Sequence, residues 1–223
     1  MRDQRDDQQE RGDQQERGER EELEELEEQA PGRSITRLDN ATALRAYAHP
    51  VRMKLILALR TRGPLTATQA GRLLGESSGT CSFHLRQLAK YGLVEETGDG
   101  AGREKPWRAT TTSTSWDDVQ KTPEATAAAS LLGEVLAESY FGELMRWLEV
   151  RSQESEEWQR AAFTGDRFLW VTAEELGQLG RDLVAVTDKY FDRQLRPELR
   201  PPGARLVTCL HLGFPNVTLR EEP

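Results

Sequence analysis

Apolar residues recur at helical spacing over the first part of residues 41–110. Their spacing on either side of His49 predicts a helix from about Pro50 to Thr61. Pro50 suits the first turn of that helix, where its missing N–H costs nothing. Gly63-Pro64 then ends the helical pattern, so the next helix must be a separate element.

Two further helices are predicted from their start and stop signals. Thr66-Ala-Thr-Gln69 has the form of a capping box, which predicts a short helix that Gly75 ends. Ser77 is a good N-cap for a following helix that continues to about Tyr91. The loop between these helices is therefore only three or four residues long, as in a helix-turn-helix.

After the helices the pattern changes to alternation. Leu93–Thr97 reads as a strand, residues 98–102 (GDGAG) as a turn, and Arg103–Ala109 as the returning strand. Trp107 in this strand suits the core more than a contact to DNA. Helix, turn, helix and β-hairpin in this order predict a winged helix-turn-helix domain over residues 38–112. We expect a threonine-rich linker, residues 109–115, to follow it.

The same stretch resembles a known family in four segments. They read LRAYAHPVRMKLILAL, LTATQAGRLLG, SSGTCSFHLRQLAKYGLVEE and GREKPWR, in that order. Together they look like the ArsR-like winged helix-turn-helix transcriptional regulators of bacteria, over about residues 41–110. The resemblance implies a recognition helix at about 77–91 and a wing at about 98–105. Family members often sense metals, but the cysteines and histidines of the usual sensing helices have no counterpart here.

Residues 119–223 are predicted to form a C-terminal dimerisation domain. Pro123–Arg151 reads as a long helix that is apolar on more than one side, so we expect burial in a dimer. A strand at Arg167–Val171, a helix from Thr172 to about Leu195 and a strand at Leu206–Leu212 follow. The predicted fold class is therefore α+β, mostly helical. Its aromatic residues indicate either plain core or a cavity for an unknown small-molecule effector.

Charge is distributed unevenly along the chain. Residues 41–110 hold 11 basic and 5 acidic residues, net +6. Residues 1–30 hold 13 acidic and 5 basic residues, net −8, and include two copies of DQQERG. We expect residues 1–32 to be a disordered acidic tail, acting either as a solubilising segment or as an arm that competes with DNA. Arg45, Arg52, Lys54, Arg60 and Arg62 are expected to be surface charges that set the basic field.

The recognition helix supplies the candidate contacts to DNA. On a helical wheel Cys81, His84, Leu85 and Leu88 form one stripe, predicted to face the core. The predicted DNA-binding residues lie elsewhere on the helix or on the wing: Ser78, Gly79, Thr80, Ser82, Phe83, Arg86, Gln87, Lys90, Arg103 and Lys105. Arg86 suits guanine or phosphate, Gln87 suits adenine, and Phe83 could contact a thymine methyl or pack beneath the wing. The serines and threonine also suit ordinary helix-start chemistry.

Other kinds of site find little support. Cys81 and His84 are one turn apart, as in a metal site, but they face the predicted core without a third ligand. Cys209 and His211 share a face of the last predicted strand and likewise have no third partner. We predict no cofactor, no membrane span, a cytoplasmic location and no enzymatic activity, because no phosphate loop or nucleophile motif is present.

The sequence therefore predicts a homodimeric regulator that binds double-stranded DNA. The alternative is a winged-helix module that binds a protein and has no DNA site of its own. Basic residues on both the predicted recognition helix and the predicted wing favour DNA.

Overall fold

The structure is a computed structural model and describes residues 34–98 and 105–218 of the 223. The chain divides into two units, residues 1–137 and residues 138–223. Its fold is α+β and mostly helical, as the sequence predicts. The acidic tail with its DQQERG repeat lies outside the described residues.

Unit 1 begins with a short strand and four helices. Strand β1 spans Ile35–Arg37, and the helices are α1 (Ala41–Tyr47), α2 (Pro50–Arg62), α3 (Ala67–Leu74) and α4 (Ser78–Ala89). The predicted capping box at α3 is present, since Thr66 and Gln69 each bond the other's backbone N–H. Gly75 ends α3 in the left-handed conformation, with φ 72° and ψ 25°. These boundaries confirm the predicted helix-turn-helix.

The wing is a two-stranded antiparallel sheet of β2 (Val94–Glu96) and β3 (Trp107–Ala109). Trp107 is buried, as predicted, and its backbone exchanges two hydrogen bonds with Leu65, of 2.8 and 3.0 Å. The predicted turn at 98–102 is described only at Gly98.

The threonine-rich stretch after the wing is not a simple linker, which corrects the sequence-based expectation. Strand β4 (Ser113–Ser115) pairs in parallel with β1, with Thr36 opposite Thr114. Arg60 of α2 holds this pair in place, because its guanidinium donates to the Thr111 carbonyl at 2.9 Å and to Thr114 Oγ1 at 2.7 Å. A long-range parallel pair of three-residue strands leaves no local periodicity to detect.

Helix α5 (Pro123–Val150) is the long helix that the sequence predicts. Within unit 1, one face of α5 is buried in the same core as the helix-turn-helix. That face consists of Ala125, Ala128, Ala129, Leu132 and Leu136. The three alanines at the start of this face allow α5 to approach the core of unit 1 closely. Leu132 and Leu136 supply most of the apolar surface that the face buries.

Unit 2 contains α6 (Glu156–Ala161), α7 (Ala173–Asp188) and α8 (Asp192–Leu195), with 3₁₀ turns at Arg151–Gln153 and Pro197–Leu199. The capping box predicted at Thr172 is present and opens α7. The prediction of strands at Arg167–Val171 and Leu206–Leu212 is wrong: neither segment is a strand or a helix in this structure. The helix predicted to reach Leu195 instead ends at Asp188, and a separate short helix follows.

The described part of unit 2, residues 138–218, contains no buried residue. Residues predicted to face inward from α7, such as Leu183 and Val186, are exposed. Apolar side chains that would form a core within a stable domain remain in contact with water. Residues 138–218 therefore have the composition of a folded domain without a core of their own.

Gly71 sets the distance between α3 and α4. A Cβ atom on this buried residue would lie 2.7 Å from the Glu76 carbonyl oxygen and 3.3 Å from the Ser78 amide nitrogen. Both neighbours are backbone atoms of the turn, which cannot move without shifting α4. The Glu76 N–H also donates to the Gly71 carbonyl at 2.9 Å, so the turn closes directly on this residue.

We expect Gly71→Ala to lower the free energy of unfolding by about 1–3 kcal/mol, because the added methyl group overlaps the turn. Gly79→Ala is the matched control: the nearest atom to its Cβ is Ser77 Oγ at 3.7 Å, and alanine favours helix by up to about 1 kcal/mol. Urea denaturation of both variants measures the difference. Equal stability of the two variants would contradict the role of Gly71.

Candidate nucleic-acid interface

The orientation of helix α4 is set by the buried stripe of residues that the sequence predicts. Cys81, Leu85 and Leu88 are fully buried, and His84 is 8% exposed. Because these four residues face the core, the opposite side of the helix is presented outward. The prediction of which face is inward is therefore confirmed.

The start of α4 is built by Ser77, whose Oγ accepts from the Thr80 N–H at 3.0 Å. The Thr80 hydroxyl lies 2.8 Å from the same Ser77 Oγ, so it takes part in capping. Ser78 and Gly79 are exposed at this end. The first turn thus offers a positive helix terminus and small side chains that do not block a close approach.

Further along the helix, Ser82 and Arg86 form a pair on the outward side. The Arg86 Nη1 donates to Ser82 Oγ at 2.9 Å across one helical turn. Gln87 is half-buried and Lys90 is exposed at the C-terminal end. The structure therefore brings the Arg86 guanidinium and the Ser82 hydroxyl together, and shows no hydrogen bond of the Gln87 amide with either.

Phe83 lies on the outward side and is 52% exposed. Its ring contacts the His84 ring edge-on, with centroids 5.1 Å apart and an interplanar angle of 74°. The sequence left open whether Phe83 packs beneath the wing. The ring contact in the structure is instead with its own neighbour in α4, and half of the side chain remains available to a ligand.

Behind Phe83, two histidines pack against each other, which the sequence did not reveal. The rings of His49 and His84 have centroids 4.4 Å apart. His49 caps α2, because its Nδ1 accepts from the Val51 N–H at 3.2 Å. His84 Nδ1 is buried and has no hydrogen-bond partner in the described part of the chain. The pair joins the start of α2 to the middle of α4.

This environment disfavours positive charge on both rings. Burial is the largest cause that lowers the pKa of His49 and of His84, and the nearby Arg52 guanidinium lowers both further. Glu76, in the turn before α4, acts in the opposite direction. Burial, with a smaller contribution from Glu76, raises the pKa of the Cys81 thiol. At neutral pH the group is therefore two neutral imidazoles beside a protonated thiol.

Two of the arginines expected to be surface charges are used inside unit 1, which corrects that expectation. Arg52 Nη2 donates to the Arg45 carbonyl at 2.9 Å, and Arg60 holds β4 as described above. Burial lowers the pKa of both guanidinium groups. Lys54 and Arg62, by contrast, are exposed as expected.

The described cations of the wing are paired with acidic residues of the same hairpin. Lys105 Nζ lies 3.4 Å from a Glu96 carboxylate oxygen, and Arg108 Nη2 lies 2.6 Å from one of Glu95. Arg103, predicted to contact DNA, lies outside the described residues. Exposed pairs of this kind contribute little to stability, but each acid offsets the positive charge of its partner.

Cys209 and His211 do come together in unit 2, with Sγ and Nε2 3.5 Å apart. In the part of the chain that the structure describes, no three or more histidine, cysteine and acidic residues group in a way that could hold a metal. None of the described helices is long and apolar enough to cross a membrane.

Comparison with known families identifies the central part of unit 1. Residues 47–97 match the sequence model of a family described as a helix-turn-helix domain. The chain contains a helix-turn-helix domain. In this domain α3 and α4 are the paired helices, and the β2–β3 hairpin is the wing. A search of curated proteins finds no significant match.

Solved structures with local similarity include three bacterial proteins. The transcriptional repressor BigR from Xylella fastidiosa has 22% identity and a TM-score of 0.28, and the match covers 44% of this chain and 84% of that one. A variant of Lactococcus lactis ZitR has 14% identity and a TM-score of 0.28, with 63% and 73% covered. RV1404 from Mycobacterium tuberculosis has 17% identity and a TM-score of 0.26, with 67% and 81% covered. Scores this low carry no argument about function.

The histidine pair predicts a pH-dependent stability for the winged helix-turn-helix domain. Because both pKa values are lowered on folding, the unfolded chain binds protons more readily. The free energy of unfolding should be highest above the ordinary histidine pKa of 6.5 and should fall as pH drops through the lowered values. Urea denaturation at several pH values measures this slope. His49→Asn combined with His84→Gln should flatten it, whereas His211→Gln, at the exposed third histidine, should leave it unchanged.

Proposed function

We propose that this protein is a sequence-specific transcription regulator of the ArsR-like type that binds double-stranded DNA. In this proposal α4 enters the major groove and the wing contacts the backbone or the minor groove. The observation that supports this proposal is the chemical character of the outward side of α4. Small and polar groups lie at its capped N-terminal end, where recognition helices meet base edges, and Arg86 and Lys90 follow.

The roles proposed for individual residues follow from their positions. Arg86 is held by Ser82 with the rest of its guanidinium donors free to read guanine or a phosphate. Gln87 reads adenine if its half-buried amide turns outward. Ser78, Gly79, Thr80 and Ser82 approach the backbone and base edges, and Lys90, Arg103 and Lys105 approach phosphates. Lys105 would leave Glu96 to do so.

We further propose that the regulator acts as a homodimer on a pseudo-palindromic site, with half-sites about 34–36 Å apart or a multiple of this spacing. Support comes from α5, whose face opposite the buried one carries Leu131, Phe141, Met145 and Leu148, all exposed. A second copy of the chain would remove this apolar stripe from water. A small-molecule effector and a cytoplasmic location remain part of the proposal.

The second candidate is a module that binds another protein rather than DNA. It is favoured by one observation: the described cations of the wing are paired with Glu95 and Glu96. Fluorescence anisotropy with genomic fragments at about 50 mM salt separates the two. If the protein binds DNA, the logarithm of its binding constant should fall linearly with the logarithm of the salt concentration. Complete absence of binding at this salt would favour the protein partner.

Arg86→Ala is expected to weaken binding to a selected DNA site by about 1–3 kcal/mol and to relax its sequence preference, because a base contact is lost. Lys90→Ala should weaken specific and non-specific binding alike and reduce the salt slope by about 1, since a phosphate contact is lost. Arg160→Ala, which removes one positive charge from α6, is the control and should change neither. Anisotropy titrations at several salt concentrations measure all three, and an unchanged Arg86→Ala variant would remove Arg86 from the reading face.

A further inference from the structure

Residues 163–171 connect α6 to α7 without regular secondary structure. They have neither helix nor strand, and none of the backbone hydrogen bonds of the described chain involves them. Every residue of the segment is exposed, with Phe168 at 79% and Trp170 at 92%. Unmade backbone bonds and exposed aromatic side chains together are the state of a strand that lacks its partner.

The local sequence is that of a strand. Arg167–Val171 reads RFLWV, rich in aromatic and β-branched residues and without glycine or proline. None of its residues has a positive φ. The segment is also held at both ends, by the C-terminus of α6 at Ala162 and by the capping box of α7 at Thr172. Both end residues have extended backbone conformations, so little ordering is needed for a strand to form between them.

The sequence of this segment is complementary to itself in the antiparallel direction. If two copies pair about a two-fold axis at Leu169, residue 168 of one copy lies opposite residue 170 of the other. Each Phe168 then faces the partner's Trp170, on the same side of the ribbon, and this contact occurs twice. On the other side Leu169 faces the partner's Leu169. A segment that forms two aromatic pairs with its own copy favours that copy over an unrelated strand.

We infer that unit 2 dimerises by antiparallel pairing of residues 167–171 with the same residues of a second copy of this chain. This inference rests on the homodimer proposed above and states which segment forms part of its interface. Buried aromatic side chains cover roughly 150–250 Å² each, so Phe168 and Trp170 offer at most on the order of 300–500 Å² per copy. That is close to half of the about 800 Å² per partner that a stable interface buries.

The absence of any buried residue between positions 138 and 218 is consistent with this pairing. Five-residue strands paired alone would make a marginal ribbon. The outward apolar residues of α5 that belong to unit 2, Phe141, Met145 and Leu148, provide further surface for the same two copies. Unit 2 would then obtain its core from the dimer rather than from one chain.

Cysteine cross-linking of the full chain tests the register. In a Cys209→Ser background the one remaining natural thiol, Cys81, is buried. Leu169→Cys places two thiols opposite each other, with Cα atoms about 4.5–5.5 Å apart, within the range of a disulfide. Arg167→Cys is the matched control, because its two copies lie roughly 13 Å apart in this register. An equimolar mixture of Arg167→Cys and Val171→Cys chains should cross-link, since these positions face each other.

The expected result is a disulfide-linked dimer from Leu169→Cys under mild oxidation, none from Arg167→Cys alone, and a mixed dimer from the Arg167→Cys and Val171→Cys mixture. Equal cross-linking of Leu169→Cys and Arg167→Cys would overturn the inference, since it indicates parallel pairing or random collision. A dimer by light scattering that does not cross-link at Leu169→Cys would also overturn it, while leaving the dimeric regulator in place. A monomer at tens of micromolar would overturn both, and DNA binding by the monomer would still be measured separately.

Discussion

The burial of one side of α4 is the interaction on which the rest of unit 1 depends. Leu85, Leu88 and Cys81 fill the space between α2, α3 and the start of the wing, and they exclude water from it. Once these residues are inward, the angular position of every other residue of α4 is set. The candidate reading face is therefore a consequence of core packing, and no outward residue needs a contact of its own to hold it in place.

The turn before α4 packs against α3 with no space for an added side chain. Gly71 allows the backbone of residues 76–78 to approach α3 to a distance that no side chain would permit. Glu76 in the same turn also acts on the histidine pair beneath α4. The burial that fixes α4 also keeps His49 and His84 neutral, whereas Glu76 in the turn opposes this effect by raising the pKa of both rings. Protonation of either histidine therefore acts on the packing between the start of α2 and the middle of α4.

Units 1 and 2 differ in how far they bury their apolar residues. Unit 1 buries a continuous set from Leu38 to Leu136 and closes its strands in pairs. Unit 2 has similar apolar side chains but leaves all of those described at least partly exposed. A chain cannot lower its free energy by leaving so much apolar surface in water. Exposed apolar surface is therefore concentrated in the described part of unit 2.

The sequence by itself determined the elements that local signals specify. Capping boxes at Thr66 and Thr172, the N-cap Ser77, the C-cap Gly75 and the apolar stripe of α4 each depend on residues a few positions apart, and all are present. Only the tertiary structure decided the pairing of β1 with β4, the inward use of Arg52 and Arg60, and the contact between His49 and His84. Most of these contacts join residues far apart in the chain, and the Arg52–Arg45 bond crosses from α2 to α1, so no periodicity records them. The strands expected at 167–171 and 206–212 have the local signal but no strand partner among residues 34–98 and 105–218, and a strand, unlike a helix, makes its backbone hydrogen bonds outside its own segment.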